Sequence, residues 1–282
     1  MRPASGAAGL RLGAPLALGF ILATWVTAPG YSQAGSDPRV GPSWGLKGLR
    51  SAQCVRFLIA PGEAARHAQA GYRPIRADQD QSLHPALRSV IEGQPEFASW
   101  TASSICFFYL DTVSLGGRIM TARRGSKPQM ISVWTLATSG QGEGGRRDVA
   151  IELSAGSAQT VRAAEAVRLR VREAESKISQ VPEGTDEMHE LKLGKTRLVW
   201  TGRPAGDSTP VGQPIEERWL IKGASGTIWN VRLNLAPSWT RPLVGVLRVE
   251  GKDDLAKALK ASPIRFVGPR YLGGSGGLLF AR

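Results

Sequence analysis

The clearest element of the 282-residue chain is an alternation of apolar and polar residues in its C-terminal part. In residues 227–235, TIWNVRLNL, every second position from the third onward is apolar: Trp229, Val231, Leu233 and Leu235. A period of two residues is typical of an antiparallel strand with one buried face. The segment RWLIK (218–222) precedes it across the turn GASG, so the two segments are predicted to form a β-hairpin.

Two groups of strands are predicted from short runs that are rich in β-branched and aromatic residues. The runs of the first group are QCVRFLIA (53–60), SSICFFYLDTV (103–113), MISVWTLAT (130–138) and DVAIELS (148–154). The second group contains a hairpin of HELKL with TRLVW, the hairpin described above, and the runs LVGVLRV (243–249) and PIRFVG (263–268).

One long helix is predicted between the two groups, from Ser157 to about Gln180. Its apolar residues are spaced by three and four positions in turn: Ala164, Val167, Val171, Ala174 and Ile178. This spacing places them on one face of a helix, and such a stripe is typical of a helix that packs on a sheet. Short helices are predicted in the segments GEAARHAQAG (62–71), HPALRSVIEG (84–93) and DDLAKALKAS (253–262).

These elements predict an α+β fold, with predominantly antiparallel sheet in two groups of strands, one long amphipathic helix over about 157–180, and several short helices. Residues 35–51 are rich in Gly, Pro and Ser and are predicted to be a flexible lead-in. Residues 52–282 then form either a single α+β domain or two small β-rich halves. In the second case the halves are 52–154 and 185–282, joined by the helix 157–180.

The N-terminus has the layout of a secretory signal peptide. Arg2 and Arg11 precede an apolar stretch from Leu12 to Ala28, and the small residues of Ser32-Gln33-Ala34 follow it. We therefore expect cleavage after Ala34 and export to the periplasm or the cell surface, with no transmembrane segment left afterwards. A retained membrane anchor is the alternative, although Pro15 and Gly19 interrupt the apolar stretch.

Export also determines how the two cysteines are interpreted. Cys54 and Cys106 both lie in apolar, strand-forming runs, and thiols in an oxidising compartment usually pair. Apolar surroundings raise the pKa of a thiol and make it less reactive. The sequence therefore predicts a structural disulfide between Cys54 and Cys106, in preference to a reactive thiol or a metal ligand.

The charge pattern indicates one candidate binding surface. The chain contains 36 Lys and Arg residues against 23 Asp and Glu, for a formal net charge of +13. If the C-terminal strands alternate as proposed, a basic sheet face collects Lys192, Arg197, Arg218, Lys222, Arg232 and Arg248. Such a face attracts phosphate, sulfate or carboxylate groups, for instance of an anionic envelope component or an acidic glycan. A solvated face, or one covered by the long helix, is the alternative.

The sequence therefore favours a non-enzymatic, exported binding or envelope-structural protein that docks through the basic face or through a protein partner. The alternative is an exported hydrolase, with His84 and one of Asp78, Asp80 or Glu92 in a cleft beside the Cys54–Cys106 bridge. No cofactor or metal site is predicted, because no phosphate-binding loop and no ligand-like spacing is found. No nucleic-acid-binding motif is found either.

Overall fold

The computed structural model describes residues 43–120, 128–140, 146–180, 187–262 and 264–282, all of which lie in the compact unit Ser36–Arg282. The predicted signal peptide, residues 1–34, falls outside the described residues. Within the described ranges, no helix is long and apolar enough to span a membrane.

The strands, numbered in chain order, are β1 (Trp44–Ile59), β2 (Tyr72–Pro74), β3 (Thr101–Leu115), β4 (Arg118–Ile119), β5 (Gln129–Gly140), β6 (Arg146–Ala155), β7 (Arg172–Gln180), β8 (Glu187–Leu193), β9 (Thr196–Pro204), β10 (Thr209–Pro210), β11 (Ile215–Lys222), β12 (Ile228–Ala236), β13 (Trp239–Arg241), β14 (Leu243–Glu250), β15 (Arg265–Val267), β16 (Arg270–Leu272) and β17 (Ser275–Ala281). The helices are α1 (Pro61–His67), α2 (Pro85–Gly93), α3 (Ala158–Ala166) and α4 (Asp254–Ala261), with a 3₁₀ turn at Pro95–Phe97.

Seven of the described strands close into a barrel. Its order is β1–β3–β5–β6–β11–β12–β17, and β17 pairs with β1 again. The pairings are antiparallel except for a short parallel ladder between β6 and β11, which joins Asp148–Ala150 to Trp219–Ile221. The barrel thus takes strands from both sequence groups.

The barrel interior is filled by the inward-facing residues of all seven strands. The alternation predicted for residues 227–235 is confirmed, since Trp229, Val231, Leu233 and Leu235 are buried and the residues between them are exposed. Large side chains from the other strands pack on them, including Trp44, Phe108, Trp219 and Phe280. This apolar cluster is called the barrel core below.

Two further apolar clusters border the barrel core, one on the outer face of the barrel wall and one at an end of the barrel. One is formed with a second, antiparallel sheet in the order β7–β8–β9–β14, and with α4: Val55, Phe57, Ile105, Phe107, Leu191, Leu198, Leu255 and Leu259. The other, called the end cluster below, joins barrel residues to α2: Leu58, Ala102, Ala137, Leu83, Leu87 and Ile91.

The long helix predicted over 157–180 is wrong. Helix α3 ends at Ala166, and the chain continues as β7, in which Ala174 is buried between exposed neighbours. The error has a simple cause: Ala174 and Ile178 are four positions apart, a spacing that fits one face of a strand as well as one face of a helix. Arg168, with a φ of 64°, provides the turn between the two elements.

The α+β class is wrong as well. Without the long helix, the described chain is a closed β-barrel with an added four-stranded sheet and only short helices around it. The long helix was expected to pack on one face of the sheet. The sheet closes into a barrel instead, and this closure buries one face of every barrel strand.

A disulfide joins Cys54 on β1 to Cys106 on β3, with an S–S distance of 2.05 Å. The two residues are directly opposite each other in the antiparallel ladder. Cys106 is buried at the edge of the barrel core.

We expect the Cys54→Ala/Cys106→Ala variant to lose up to about 4 kcal/mol of unfolding free energy, since the bridge closes a loop spanning 52 positions and restricts the unfolded chain. Urea unfolding of the variant and of the wild type, each with and without dithiothreitol, measures this. Dithiothreitol should destabilise only the wild type. If the variant and the wild type were equally stable without dithiothreitol, a structural role for the bridge would be contradicted.

Candidate active site

Five neighbouring strands of the barrel carry a polar residue at the same end of their inward faces. These residues are Arg56 on β1, Ser104 on β3, Thr135 on β5, Asp148 on β6 and Glu217 on β11, and they are called the polar layer below. Arg56 lies opposite Ser104 in the ladder, and Ser104 lies opposite Thr135.

Strand alternation places this layer inside the barrel. Two positions along each strand, on the same face, lies a barrel-core residue: Cys54, Cys106, Val133, Ala150 and Trp219. On the other side of the layer, β1, β3 and β5 continue into the end cluster with Leu58, Ala102 and Ala137. The polar layer is therefore enclosed between two apolar clusters.

A cavity of about 530 Å³ opens on the polar layer. Its walls come from β1, β3, β6 and β11, and Cys106 of the disulfide lines it. The segment Ser82–Pro85, at the start of α2, lies over the cavity. Cavities of this size at the mouth of a barrel, with a few converging polar groups, are typical of small-molecule sites.

Arg146 connects two carboxylates at the wall of the cavity. Its Nε donates to Asp148 Oδ1 at 2.9 Å, and its Nη1 donates to Asp80 Oδ2 at 2.7 Å. The Asp80 side chain is only 1% exposed, and its Oδ1 also accepts a hydrogen bond from the Ser82 backbone amide. Although burial opposes its charge, the two neighbouring carboxylates raise the pKa of Arg146.

Both carboxyl groups of the polar layer have raised pKa values. Burial raises the pKa of Asp148, and the charge of Asp80 adds to this effect, while Arg146 opposes it. Burial also raises the pKa of Glu217, and the charge of Asp148 adds to it, against the opposing effect of Arg56. Glu217 Oε2 accepts a hydrogen bond from Trp219 Nε1 at 3.0 Å, which fixes the carboxyl group in place.

Arg56 is half-buried and has no carboxylate within ion-pair distance among the residues that the structure describes. Its charge still acts on its neighbours, because it opposes the rise in the pKa of Glu217 and adds to the fall in the pKa of His84. A guanidinium in this position can accept a carboxylate or another oxyanion as a ligand.

His84 lines the same cavity from the start of α2. Its Nδ1 accepts a hydrogen bond from the Ala86 backbone amide at 3.2 Å, and its ring packs against Phe266. Burial, followed by the charge of Arg56, lowers the pKa of His84. The imidazole is therefore neutral at neutral pH, and its Nε2–H is available as a donor.

The structure brings together only some of the predicted catalytic residues. His84 lines the cavity, and Asp80 contacts it through Arg146. Asp78 is exposed and forms an ion pair with Arg76 at 2.6 Å, and Glu92 is exposed on α2.

The six residues of the predicted basic face are divided between two sheets. Lys192, Arg197 and Arg248 lie on the second sheet, and Arg218, Lys222 and Arg232 lie on the barrel strands β11 and β12. Two of the charges are compensated: Lys192 pairs with Glu175, and Arg197 pairs with Glu190 and Glu250. Arg218 is the member that lines the cavity at the polar layer.

Four charged residues of the site were not predicted from the sequence: Arg56, Arg146, Asp148 and Glu217. A signal for Glu217 was present, because it lies two positions before Trp219, an apolar residue of the predicted hairpin strand RWLIK, and so shares its face. A charged residue at an inward strand position is unusual and indicates a partner or a function. Across the described ranges, no three His, Cys, Asp or Glu side chains are close enough to hold a metal ion.

No known protein family and no curated protein matches this sequence. Solved structures with a similar course of the chain do exist. An acetoacetate decarboxylase from Legionella pneumophila is 11% identical with a TM-score of 0.48, over 96% of this chain and 95% of its own. An acetoacetate decarboxylase-like enzyme from Sphingomonas wittichii is 11% identical with a TM-score of 0.47, over 91% and 96%. The enduracididine biosynthesis enzyme MppR, complexed with pyruvate, is 13% identical with a TM-score of 0.46, over 90% and 96%.

These neighbours are all enzymes, whereas the sequence analysis favoured a non-enzymatic binding or envelope-structural protein. The likeness assigns no catalytic residue to this chain, so the roles of its residues depend on the geometry described above.

The Glu217→Gln variant should change how stability depends on pH. Because the pKa of Glu217 is raised on folding, the folded protein keeps a proton that the unfolded chain releases between the ordinary and the raised value. Wild-type stability therefore falls as the pH rises through this window, and the substitution removes that loss. Urea unfolding between about pH 4 and pH 8, a range that extends upward from the ordinary glutamate pKa, measures the difference.

Glu92, which is exposed on α2 and does not line the cavity, provides the control, as Glu92→Gln should show the wild-type pH dependence. A stability difference between Glu217→Gln and wild type that does not change with pH would contradict a buried, proton-holding Glu217.

Proposed function

We propose that this protein is an enzyme that uses acid–base catalysis on a small molecule bearing a carboxylate, bound in the cavity at the polar layer. One observation supports this most strongly: two carboxyl groups of raised pKa, Asp148 and Glu217, line the same cavity as Arg56. Arg56 has no ion-pair partner among the described residues. Perturbed titratable groups that converge in a cavity are typical of active sites.

Arg56 is the proposed binding group for the substrate carboxylate. It is half-buried at the cavity wall, where a charge-assisted hydrogen bond is weakened less by water than at an exposed site. A planar guanidinium can bind a carboxylate through two parallel hydrogen bonds, which fixes the orientation of the substrate.

Glu217 is the proposed proton donor and acceptor. A carboxyl group whose pKa is raised toward neutrality can exchange a proton with a substrate more effectively than an ordinary glutamate. Asp148 is held by Arg146, and its charge acts on Glu217, so it positions and tunes the proton-transferring group. The neutral His84 supplies a further donor in the cavity.

Schiff-base chemistry is not part of the proposal. It requires a lysine whose amine is desolvated or lies beside another cation, and in the described parts of the chain every lysine is exposed: Lys47, Lys177, Lys192, Lys195, Lys222, Lys252, Lys257 and Lys260. Lys127 falls outside the described residues.

Export and an anionic envelope partner stay predictions, because the residues that carry the export signal, 1–34, are outside the described part of the chain. A disulfide at the wall of the cavity is consistent with an oxidising compartment.

The proposal is tested by incubating the protein in D₂O with a panel of small oxo acids and following each acid by proton NMR. Acetoacetate and pyruvate begin the panel, because these molecules are named for the similar structures. We expect turnover, or exchange of carbon-bound hydrogen, for at least one acid. The Glu217→Gln variant should lower kcat about 100-fold or more, in line with the loss of a general acid–base group.

The Arg56→Gln variant should raise KM more than it lowers kcat, because Arg56 holds the substrate rather than transferring the proton. Arg50→Gln is the matched control, since Arg50 lies on the same strand but is exposed and paired with Asp111. It should react like the wild type. Absence of any reaction with the panel, or equal rates for wild type and Glu217→Gln, would contradict the proposal.

A further inference from the structure

A second cavity, of about 650 Å³, lies at the Ala150–Ile221 end of the short ladder between β6 and β11. The cavity at the polar layer lies at the opposite end of this ladder, at Asp148. The second cavity is lined by Ile151–Leu153 of β6, by Ile221, Lys222 and Ala224 on and after β11, and by Glu165 and Arg168–Arg172 at the end of α3 and the start of β7. It shares no lining residue with the cavity at the polar layer.

The end of α3 has an arginine where a glycine is expected. The Leu169 amide donates to the Ala164 carbonyl at 3.0 Å, and the Arg168 amide donates to the Glu165 carbonyl at 2.8 Å. These two bonds define a Schellman motif, in which the residue after the helix cap takes a left-handed conformation and is usually glycine. Arg168, with a φ of 64°, takes that position here.

The left-handed conformation disfavours an arginine, since its Cβ crowds the following carbonyl. Arg168 is the one non-glycine residue with positive φ in the part of the chain that the structure describes. Glycine would make the same turn without this cost. Backbone strain of this kind is concentrated at functional sites, where the side chain has a role that outweighs it.

Around the cavity, three cations have no ion-pair partner, against one unpaired carboxylate, Glu165, within the described ranges. Arg172 pairs with Glu152 at 3.3 Å. Arg168, Arg170 and Lys222 have no ion pair within the described ranges, although all three line the cavity. The rim is therefore positively charged.

The floor of the cavity is apolar. Leu153, Leu169 and Ile221 are buried in it, and Ile151 and Val171 are half-buried. An apolar floor beneath a cationic rim is complementary to a molecule that has an acidic head group on a hydrocarbon body.

We propose that this cavity is a second ligand site, which binds a small amphiphilic anion, with Arg168, Arg170 and Lys222 on the acidic head group and the apolar floor on the hydrocarbon body. Arginine binds carboxylate and phosphate head groups alike, so the head group is either of these two. The site is independent of the proposed acid–base function.

Isothermal titration with hexanoate and with hexyl phosphate tests the proposal and distinguishes the two head groups. Inorganic phosphate and hexanol, each of which lacks one half of the ligand, are the comparison probes. We expect at least one acidic probe to bind more tightly than both. The Arg168→Gly and Lys222→Gln variants should each weaken that binding about tenfold or more, because each removes a charge-assisted contact.

Arg168→Gly separates a ligand-binding role from a structural one. The wild-type turn favours glycine, so the Tm of the variant should equal or exceed that of the wild type while its affinity falls. Arg162→Ala is the matched control: Arg162 is an exposed arginine of α3 outside the cavity, and its removal should leave binding unchanged.

Arg56→Gln shows which cavity the probe occupies, and it should leave this binding unchanged. Loss of binding in Arg56→Gln would place the probe at the polar layer and overturn the proposal. The proposal is also overturned if neither acidic probe binds more tightly than hexanol, or if Arg168→Gly binds as well as the wild type. None of these results bears on whether Glu217 transfers a proton.

Discussion

Strand β1 closes the barrel, and this closure determines where the core and the polar layer lie. This 16-residue strand pairs with β3 along its whole length, from Trp44 with Leu115 to Ile59 with Thr101. Along its other side it pairs in turn with β17, β16 and β15. Because both edges of β1 are paired, the sheet closes, and every barrel strand must direct one of its faces into a shared interior.

The shared interior explains the chemistry of the site. Apolar residues fill most of it, so the polar layer at one end lies between the barrel core and the end cluster and meets solvent through the cavity. A carboxyl group in such a place is more easily protonated, whereas a histidine is less easily protonated. The pKa values follow this rule: those of Asp148 and Glu217 are raised, and that of His84 is lowered. The same constraint that stabilises the fold thus shifts the pKa values of these groups away from their ordinary values.

Local patterns predicted strands well and their assembly poorly. The alternation that ends in Leu235 could be read from the sequence because each residue reports its own burial. The turn at Arg168 could not, since arginine gives no sign of a left-handed backbone and the spacing after it suits helix and strand equally. Closure joins β1 to β17 across more than 200 residues, and no local period reports that pairing. The site was missed for the same reason: Arg56 and Glu217 become neighbours only when the barrel closes.

The most direct test of the account is a titration of the Glu and Asp carboxyl carbons by ¹³C NMR, with Glu217→Gln used to assign the resonance of Glu217. We predict that burial raises the pKa of Glu217 above the ordinary glutamate value. A ligand carboxylate that binds Arg56 should move this titration further, since it neutralises the charge that opposes the shift. Titration of Glu217 at the ordinary value, unmoved by any small acid, would contradict an enclosed acid–base group at the polar layer.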